Sequence, residues 1–171
     1  KHLQTMNEDK LVAAISRSGD PLEILRGPFI YVVVLFFVTI LYWRESIIGI
    51  VAISQLAAGD SMADIIGRRY GSDNKWPFNP QKSIIGSAAF FISAVVVSLL
   101  LISWFNFFGL LPPNLSIMEV LPRILLISGL CAFIELIPLT DDNITVPISA
   151  SILSSYLLTH TGPLQMINFF K

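Results

Sequence analysis

Apolar runs alternate with short polar stretches along most of the chain. Each run is too long and too apolar for a strand, and helices satisfy their own backbone hydrogen bonds inside a bilayer. The pattern therefore predicts an all-α, multi-pass membrane protein with about five transmembrane helices. The second and fifth runs are short for a span, so re-entrant or core helices remain an alternative for them. The five runs are residues 28–43, 46–58, 83–107, 121–139 and 144–158.

The composition agrees with a membrane protein, because 54% of the residues are hydrophobic and only 13% are charged, with a mean hydropathy of +0.71. Ordinary soluble domains carry about 25% charged residues. The single cysteine, Cys131, excludes a disulfide framework and a cysteine-based metal site. Because the chain starts with Lys1 and shows no signal peptide, we expect a fragment or a processed product.

The polar stretches divide the chain into an N-terminal segment (1–27), a helical membrane domain (28–160) and a tail (161–171), and the loop 60–82 carries a charged motif. If every run spans, the segments 1–27, 60–82 and 140–143 share one side of the membrane. The positive-inside rule makes that side cytoplasmic or stromal, because it holds eight of the eleven basic residues. They are Lys1, Lys10, Arg17, Arg26, Arg68, Arg69, Lys75 and Lys82.

The charged motif is GDSMADIIGRRYG, residues 59–71, directly after the second run. If the helix continues through it, Asp60 and Asp64 lie four residues apart on one face. Like charges at this spacing repel unless a cation lies between them, and Mg²⁺ favours one or two carboxylates together with substrate phosphates. The alternative is structural: Asp60 is an N-cap between two helices, and Ser61 and Asp64 form a capping box.

Small and basic residues extend the same motif. We expect Gly59, Ala63 and Gly67 to leave room for a bulky anion near the backbone. Arg68 and Arg69 offer forked donors to phosphate oxygens. The alternative is that these arginines only determine topology.

Lys82 and Ser83 stand at the start of the third run. We assign both to the predicted phosphate-binding set, Lys82 as a point charge and Ser83 as the cap of the third helix. The alternatives for Lys82 are a snorkelling anchor and binding to anionic lipid headgroups.

Acidic residues also surround the end of the fourth run. Glu135 lies within that apolar run, and an ionisable residue in a membrane segment indicates function. Asp141, Asp142 and Asn143 follow, on the side predicted to hold Asp60. Two acidic elements converging on one side predict a divalent-cation and phosphate site. The alternative is that Asp141 caps the fifth helix while Asp142 and Asn143 make the turn.

Several familiar sites are missing from the sequence. It contains no G-x-x-x-x-G-K-[ST] phosphate loop, no G-x-G-x-x-G fingerprint and no H-E-x-x-H motif. The two histidines, His2 and His160, lie at opposite ends of the chain, so we do not expect them to act as ligands or as a general base.

Taken together and in this order, the motifs resemble the membrane kinases of polyprenyl alcohols, which include phytol kinase, farnesol kinase and, more distantly, dolichol kinase. The resemblance covers residues 16 to about 158. It depends on the charged motif 59–71, on residues 82–87 and on Glu135 with residues 141–147. Ser61 stands where the family pattern leads us to expect a second glycine, and family members carry further helices upstream.

The resemblance implies a kinase that transfers the terminal phosphoryl group of CTP to an isoprenoid alcohol such as phytol, farnesol or geranylgeraniol, with Mg²⁺ or another divalent cation. The alcohol would come from the bilayer, membrane lipids would surround the protein, and no nucleic acid is expected. The expected location is an integral position in a chloroplast membrane for a plant or algal protein, otherwise in a bacterial inner membrane or the endoplasmic reticulum.

Under this hypothesis Asn143 joins Arg68, Arg69, Lys82 and Ser83 in binding the nucleotide, and Asp142 or Glu135 takes the hydroxyl proton. The predicted metal ligands are Asp60, Asp64, Asp141 and Asp142, and the predicted catalytic residues are Asp60, Asp64, Asp142 and Glu135. The alternatives are a cytidylyltransferase acting on a phospholipid precursor, a transporter with Glu135 and Asp141 as a cation or proton relay, and a structural membrane subunit.

Overall fold

Five helices and one small hairpin make up the part of the chain that the computed structural model describes, which is residues 21–42, 46–111, 115–137 and 142–159. The second helix contains a π-helical segment, Gln55–Asp60, between two α-helical parts. The predicted all-α class is confirmed, with the hairpin as a minor addition. The elements are α1 (Pro21–Tyr42), α2 (Ile47–Tyr70), β1 (Lys75–Trp76), β2 (Asn79–Ser83), α3 (Ile84–Phe107), α4 (Ile117–Ile134) and α5 (Asp142–Thr159).

Three of the described helices, α2, α3 and α4, are long and apolar enough to cross a membrane, judged by length and composition. Helix α1 adds a shorter apolar stretch, Phe29–Tyr42. Large apolar side chains are exposed at every fourth position on two helices, as a lipid-facing surface requires. Because only three of the described helices meet the length and composition of a span, the number of five spans stays a prediction. The exposed rows are Ile92, Val96, Leu100 and Trp104 on α3, and Ile144, Ile148, Ile152 and Tyr156 on α5.

Helix boundaries differ from the predicted ones where the chain turns polar. Helix α1 begins at Pro21, inside the predicted polar segment, and α4 ends at Ile134, so that Glu135 follows the helix. The predicted loop 60–82 is largely ordered, because α2 continues to Tyr70 and the hairpin follows. Helical hydrogen bonds do not require apolar side chains, so the apolar run underestimates the length of α2.

The helical course of α2 tests whether Asp60 is a cap between two helices. Asp60 has helical dihedrals, φ −62° and ψ −43°, and its side chain makes no capping hydrogen bond. The cap interpretation of Asp60 is therefore wrong, and the interpretation as one continuous helix is confirmed.

A seam of small residues joins α2 to the start of α3. Gly59, Ala63 and Gly67 recur every four residues along α2. A Cβ atom added at Gly86 would lie 3.1 Å from the Ala63 carbonyl oxygen and 3.3 Å from the Gly67 Cα, and one added at Gly59 would lie 2.9 Å from the Phe90 ring. The space that we expected an anion to fill is occupied by α3, so that expectation is wrong. Small residues let membrane helices approach closely.

Each strand of the hairpin between α2 and α3 makes a hydrogen bond to a different neighbouring element. Its strands are antiparallel, with Lys75 opposite Ser83. The Trp76 indole nitrogen donates to Ser87 Oγ at 3.0 Å, which ties β1 to α3. The Asn79 side-chain nitrogen donates to the Leu136 carbonyl oxygen at 3.0 Å, which ties β2 to the chain just after α4. The hairpin therefore fixes the start of α3 against the end of α4.

The apolar core lies between α2, α3, α4 and α5, where several side chains are fully buried. Polar groups also enter it: Gln55 Nε2 donates to Ser128 Oγ at 2.9 Å, and Ser93 Oγ donates to the Ala58 carbonyl oxygen at 3.0 Å. These contacts link α2 to α4 and to α3. The largest fully buried apolar side chains include Leu56, Phe90, Ile102, Ile124 and Ile127.

The seam predicts that Gly86→Ala destabilises the protein while Gly129→Ala does not. The new methyl group at Gly86 would press on the α2 backbone, and overpacking of this kind costs about 1–3 kcal/mol. At Gly129, in the middle of α4, the nearest atom to an added Cβ is Phe91 Cε2 at 3.8 Å, an ordinary contact. Thermal unfolding in detergent measures both variants, and equal melting temperatures would contradict the role of the seam.

Candidate active site

Three carboxylates from three different elements meet at one end of the helix bundle. Asp60 is the last residue of the π-helical segment of α2, Glu135 follows the last residue of α4, and Asp142 is the first residue of α5. One carboxylate oxygen from each lies within 4.8 Å of the other two. We call these three residues the acidic cluster. Within the described ranges, they form the one group of three or more such side chains close enough to share an ion.

Lys82 from β2 lies against two members of the acidic cluster. Its Nζ donates to Glu135 Oε1 at 2.6 Å and to Asp142 Oδ2 at 2.5 Å. Both contacts are shielded, because the side chains of Lys82 and Asp142 are 17% exposed and that of Glu135 only 2%. A buried ammonium needs such partners, since an isolated charge is costly to remove from water.

The second oxygen of Glu135 is a buried acceptor without a visible donor. Glu135 Oε2 makes no hydrogen bond with any residue that the structure describes. Burial without a partner is unfavourable for a carboxylate oxygen. The oxygen is therefore able to accept a further ligand.

The electrostatics of the pair follow from burial and proximity. Burial disfavours the charged form of Lys82, but the carboxylates of Glu135 and Asp142 outweigh it and hold its pKa above the ordinary value. Burial raises the pKa of Glu135 to about 6, although Lys82 acts in the opposite direction. At neutral pH both groups are therefore largely charged.

The residues of the acidic cluster suit a hard divalent cation. Mg²⁺ and Mn²⁺ prefer oxygen ligands, and Mg²⁺ is usually bound by one or two carboxylates and by substrate phosphates. Carboxylate oxygens within 4.8 Å of one another can share one ion, and the Glu135 oxygen without a donor adds to this capacity. The donor set fits the divalent cation that the motifs predict.

The other predicted metal ligands are placed differently. Asp64 Oδ1 accepts a hydrogen bond from Arg68 Nε at 3.0 Å on a partly exposed surface, and Asp64 is not in the acidic cluster. Asp141 lies outside the described residues. Glu135, which we predicted as a base rather than a ligand, takes a position in the cluster.

The predicted phosphate-binding residues lie on more than one surface. Arg68 and Arg69 are exposed in the last turn of α2, and the Arg69 guanidinium lies 5.4 Å from the centre of the Tyr70 ring. Asn143 is the second residue of α5 and is partly buried beside Asp142. Lys82 is not free to point at solvent, because it is paired within the cluster.

Ser83 caps α3, as predicted. Its Oγ accepts a hydrogen bond from the Gly86 backbone nitrogen at 3.0 Å, and its side chain is buried against the end of α2. A Cβ atom at Gly71 would overlap Ser83 Oγ and the Gly67 carbonyl oxygen, so glycine allows the chain to pass this close. A further role of Ser83 in binding phosphate stays a prediction.

Two features of the site are absent from our sequence predictions. The first is the pairing of Lys82 with Glu135, for which a signal exists: they are opposite charges at the ends of neighbouring runs, predicted to lie on one side, and ionisable residues in membranes usually pair. The second is the π-helical segment that ends at Asp60. Its one hint is the polar pair Ser54 and Gln55 in an otherwise apolar run.

Comparison with known proteins gives the same assignment as the motifs. The chain is 40% identical over 159 residues to a wheat (Triticum aestivum) protein named probable phytol kinase, chloroplastic. The matched residues make up 91% of this chain and 52% of the wheat protein. It is 42% identical over 159 residues to a maize (Zea mays) protein of the same name, 91% of this chain and 51% of the relative. It is 39% identical over 150 residues to phytol kinase 1, chloroplastic, of Arabidopsis thaliana, 86% of this chain and 48% of the relative.

The chain is a homologue of plant phytol kinases. The resemblance to the polyprenol kinase family that the motifs predict is thereby confirmed. The chain spans about half the length of the phytol kinases that it matches. No family model matches it, and no solved structure matches it.

The paired charges of this phytol kinase homologue predict a large effect of Lys82→Met on stability. The variant would leave Glu135 and Asp142 without their shared ammonium, and breaking a buried ion pair from one side costs about 3–5 kcal/mol. The double variant Lys82→Met/Glu135→Gln should lose less, because it removes one of the stranded charges. Unfolding in detergent without divalent cations measures both variants.

Lys75→Met is the matched control for this prediction. It removes the same charge from the other strand of the hairpin, where Lys75 is exposed. We expect its free energy of unfolding to change by less than about 0.5 kcal/mol, as for most surface substitutions. If Lys82→Met were as stable as Lys75→Met, the pairing would contribute nothing to the fold.

Proposed function

We propose that this chain forms part of a membrane kinase that transfers the terminal phosphoryl group of CTP to an isoprenoid alcohol, with phytol as the first candidate. The observation that carries the proposal is the meeting of Asp60, Glu135 and Asp142 beside Lys82, at residues within the region that matches the phytol kinases. Phosphoryl transfer depends mainly on positioning and on charge stabilisation, so clustered charges without a covalent nucleophile are adequate for it.

A divalent cation, with Mg²⁺ as the candidate, would be held by the three residues of the acidic cluster. When bound, such a cation neutralises charge on phosphate oxygens and orients the group that is transferred. The ligand set predicted from sequence, Asp60, Asp64, Asp141 and Asp142, shares Asp60 and Asp142 with this cluster, and Asp141 lies outside the described residues. Asp64 is paired with Arg68, whereas Glu135 lies beside Asp60 and Asp142, so we propose Glu135 as a ligand.

The basic residues would bind the nucleotide phosphates. Arg68 and Arg69 are exposed on the last turn of α2, two turns beyond Asp60, and guanidinium groups bind phosphate with two parallel donors. Asn143 lies beside Asp142 at the start of α5 and is a further candidate. Lys82 would supply a compact positive charge nearest to the cluster.

Asp142 is the better candidate for the base that takes the proton from the alcohol hydroxyl. A base must come within hydrogen-bond distance of its substrate. The Asp142 side chain is 17% exposed, whereas that of Glu135 is 2% exposed and enclosed by protein. Glu135 is therefore assigned to the cation and to Lys82.

The alcohol would reach the site from the bilayer, with its tail along the apolar helix surfaces and its hydroxyl at the cluster. The exposed apolar row on α5 starts at Ile144, two residues after Asp142, so a lipid-facing surface adjoins the site. Plant relatives named chloroplastic, together with three helices long enough to cross a membrane, support a plastid membrane as the location.

A membrane assay of the full-length protein tests the function. Each nucleoside triphosphate is offered with phytol, farnesol or geranylgeraniol, and the lipid and nucleotide products are identified with labelled CTP. We expect phytyl monophosphate and CDP. Release of pyrophosphate would indicate a cytidylyltransferase instead, and no phosphorylated alcohol with any pair would overturn the proposal.

Substitutions in the cluster test which carboxylates matter. Asp60→Asn, Glu135→Gln and Asp142→Asn should each lower kcat by about 100-fold or more, because each removes a ligand charge from a phosphoryl-transfer site. Asp64→Asn should lose less, since Asp64 lies outside the cluster. Asp73→Asn, an exposed carboxylate on the turn before the hairpin, is the control.

The comparison between Asp64 and Glu135 decides between two ligand sets. A larger loss for Asp64→Asn than for Glu135→Gln would contradict the cluster and favour the set predicted from sequence. Membrane insertion of each variant, checked by alkaline extraction, separates lost chemistry from lost protein.

A further inference from the structure

Lys82 occupies the place that a cation would take in the acidic cluster. Its ammonium lies 2.6 Å from Glu135 Oε1 and 2.5 Å from Asp142 Oδ2, and both carboxylates also belong to the group that can share an ion. The ammonium and a divalent cation therefore compete for the same two residues. Two cations on one pair of carboxylates would repel each other strongly at such distances.

Glu135 shows that the cluster has capacity beyond Lys82. Its carboxylate is almost completely buried, and Oε2 finds no donor among the described residues, while Oε1 is bound to the ammonium. A divalent cation that used Oε2 would come close to the ammonium on Oε1, so the two would exclude each other unless Lys82 gave up its contact.

We propose that Lys82 is an exchangeable counter-ion of the acidic cluster, which neutralises Glu135 and Asp142 when no divalent cation is bound and gives up at least one of them when one binds. The released ammonium would then be available to a phosphate oxygen. This inference rests on the cation site of the proposed function.

The position and chemistry of Lys82 suit this exchange. Its side chain is 17% exposed, so the ammonium can move outward without crossing the core, while its backbone stays in β2. Lysine carries a compact charge on a flexible four-carbon stem, whereas arginine binds carboxylates through a fixed fork. The ammonium can therefore change partner without any movement of the backbone.

Binding of Mn²⁺ to the full-length protein in detergent, without nucleotide, tests the proposal. Free Mn²⁺ is measured by electron paramagnetic resonance for the wild type, Lys82→Met and Lys75→Met, each checked for its fold by circular dichroism. Loss of a competing charge should tighten binding to Lys82→Met by about tenfold or more, and Lys75→Met should match the wild type. Equal or weaker binding by Lys82→Met would overturn the proposal.

A second measurement uses the wild type alone, in case Lys82→Met does not fold. The protein is labelled briefly with an amine-reactive reagent, with and without Mn²⁺, and the modification of Lys82 relative to the exposed Lys75 is read by mass spectrometry. An ammonium released from its carboxylates should label several-fold faster with Mn²⁺. An unchanged or lower ratio would show that Lys82 keeps both partners.

The two proposals fail separately. If Mn²⁺ binds and Lys82 responds as described while no alcohol is phosphorylated, the exchange stands and the kinase function falls. If the kinase assay succeeds while Lys82→Met binds Mn²⁺ no more tightly than the wild type, the function stands and Lys82 is a permanent partner of the carboxylates.

Discussion

The contact of the partly buried Lys82 ammonium with one buried and one partly buried carboxylate is the constraint on which the arrangement of the site depends. Lys82, Glu135 and Asp142 come from β2, from the end of α4 and from the start of α5, so three separate elements must meet within hydrogen-bond distance. Charges removed from water are stable only with accurate partners. Any shift of these elements would therefore strand a charge, and the surrounding packing has to prevent it.

The contacts around Lys82 position β2 accurately, because they bring the backbones of neighbouring elements close together. The seam of small residues sets α2 close to α3, and Ser83 caps α3 directly after Lys82. Asn79 connects the same strand to Leu136, next to Glu135. Lys82 thus lies between two fixed positions in its strand. Ser83 is fixed by the α3 cap and the glycine seam, and Asn79 is fixed by its hydrogen bond to Leu136.

The sequence predicts much of this arrangement and fails where tertiary contacts decide. Apolar runs indicate the helices, and the convergence of Asp60 with Asp142 follows from the assumption that every run spans. That Glu135 lies beside Asp60 and Asp142 while Asp64 pairs with Arg68 does not follow from spacing, because it depends on where α4 ends and on which partner Arg68 contacts. The seam of small residues could not be predicted from the sequence either, because small residues leave space that either a neighbouring helix or a bound anion can fill.

The π-helical segment of α2 lies between a part of the helix that packs in the apolar core and a part that carries the charged motif. Hydrogen bonds from residue i to i+5 give the segment Gln55–Asp60 a wider turn, which changes the direction in which later side chains point. The apolar part, Ile47–Ser54, and the charged part, Ser61–Tyr70, are therefore joined with a change of helical register between them. Asp60 ends this wider turn, so the direction of its carboxylate depends on the π-helical geometry as well as on how the apolar part packs against the core.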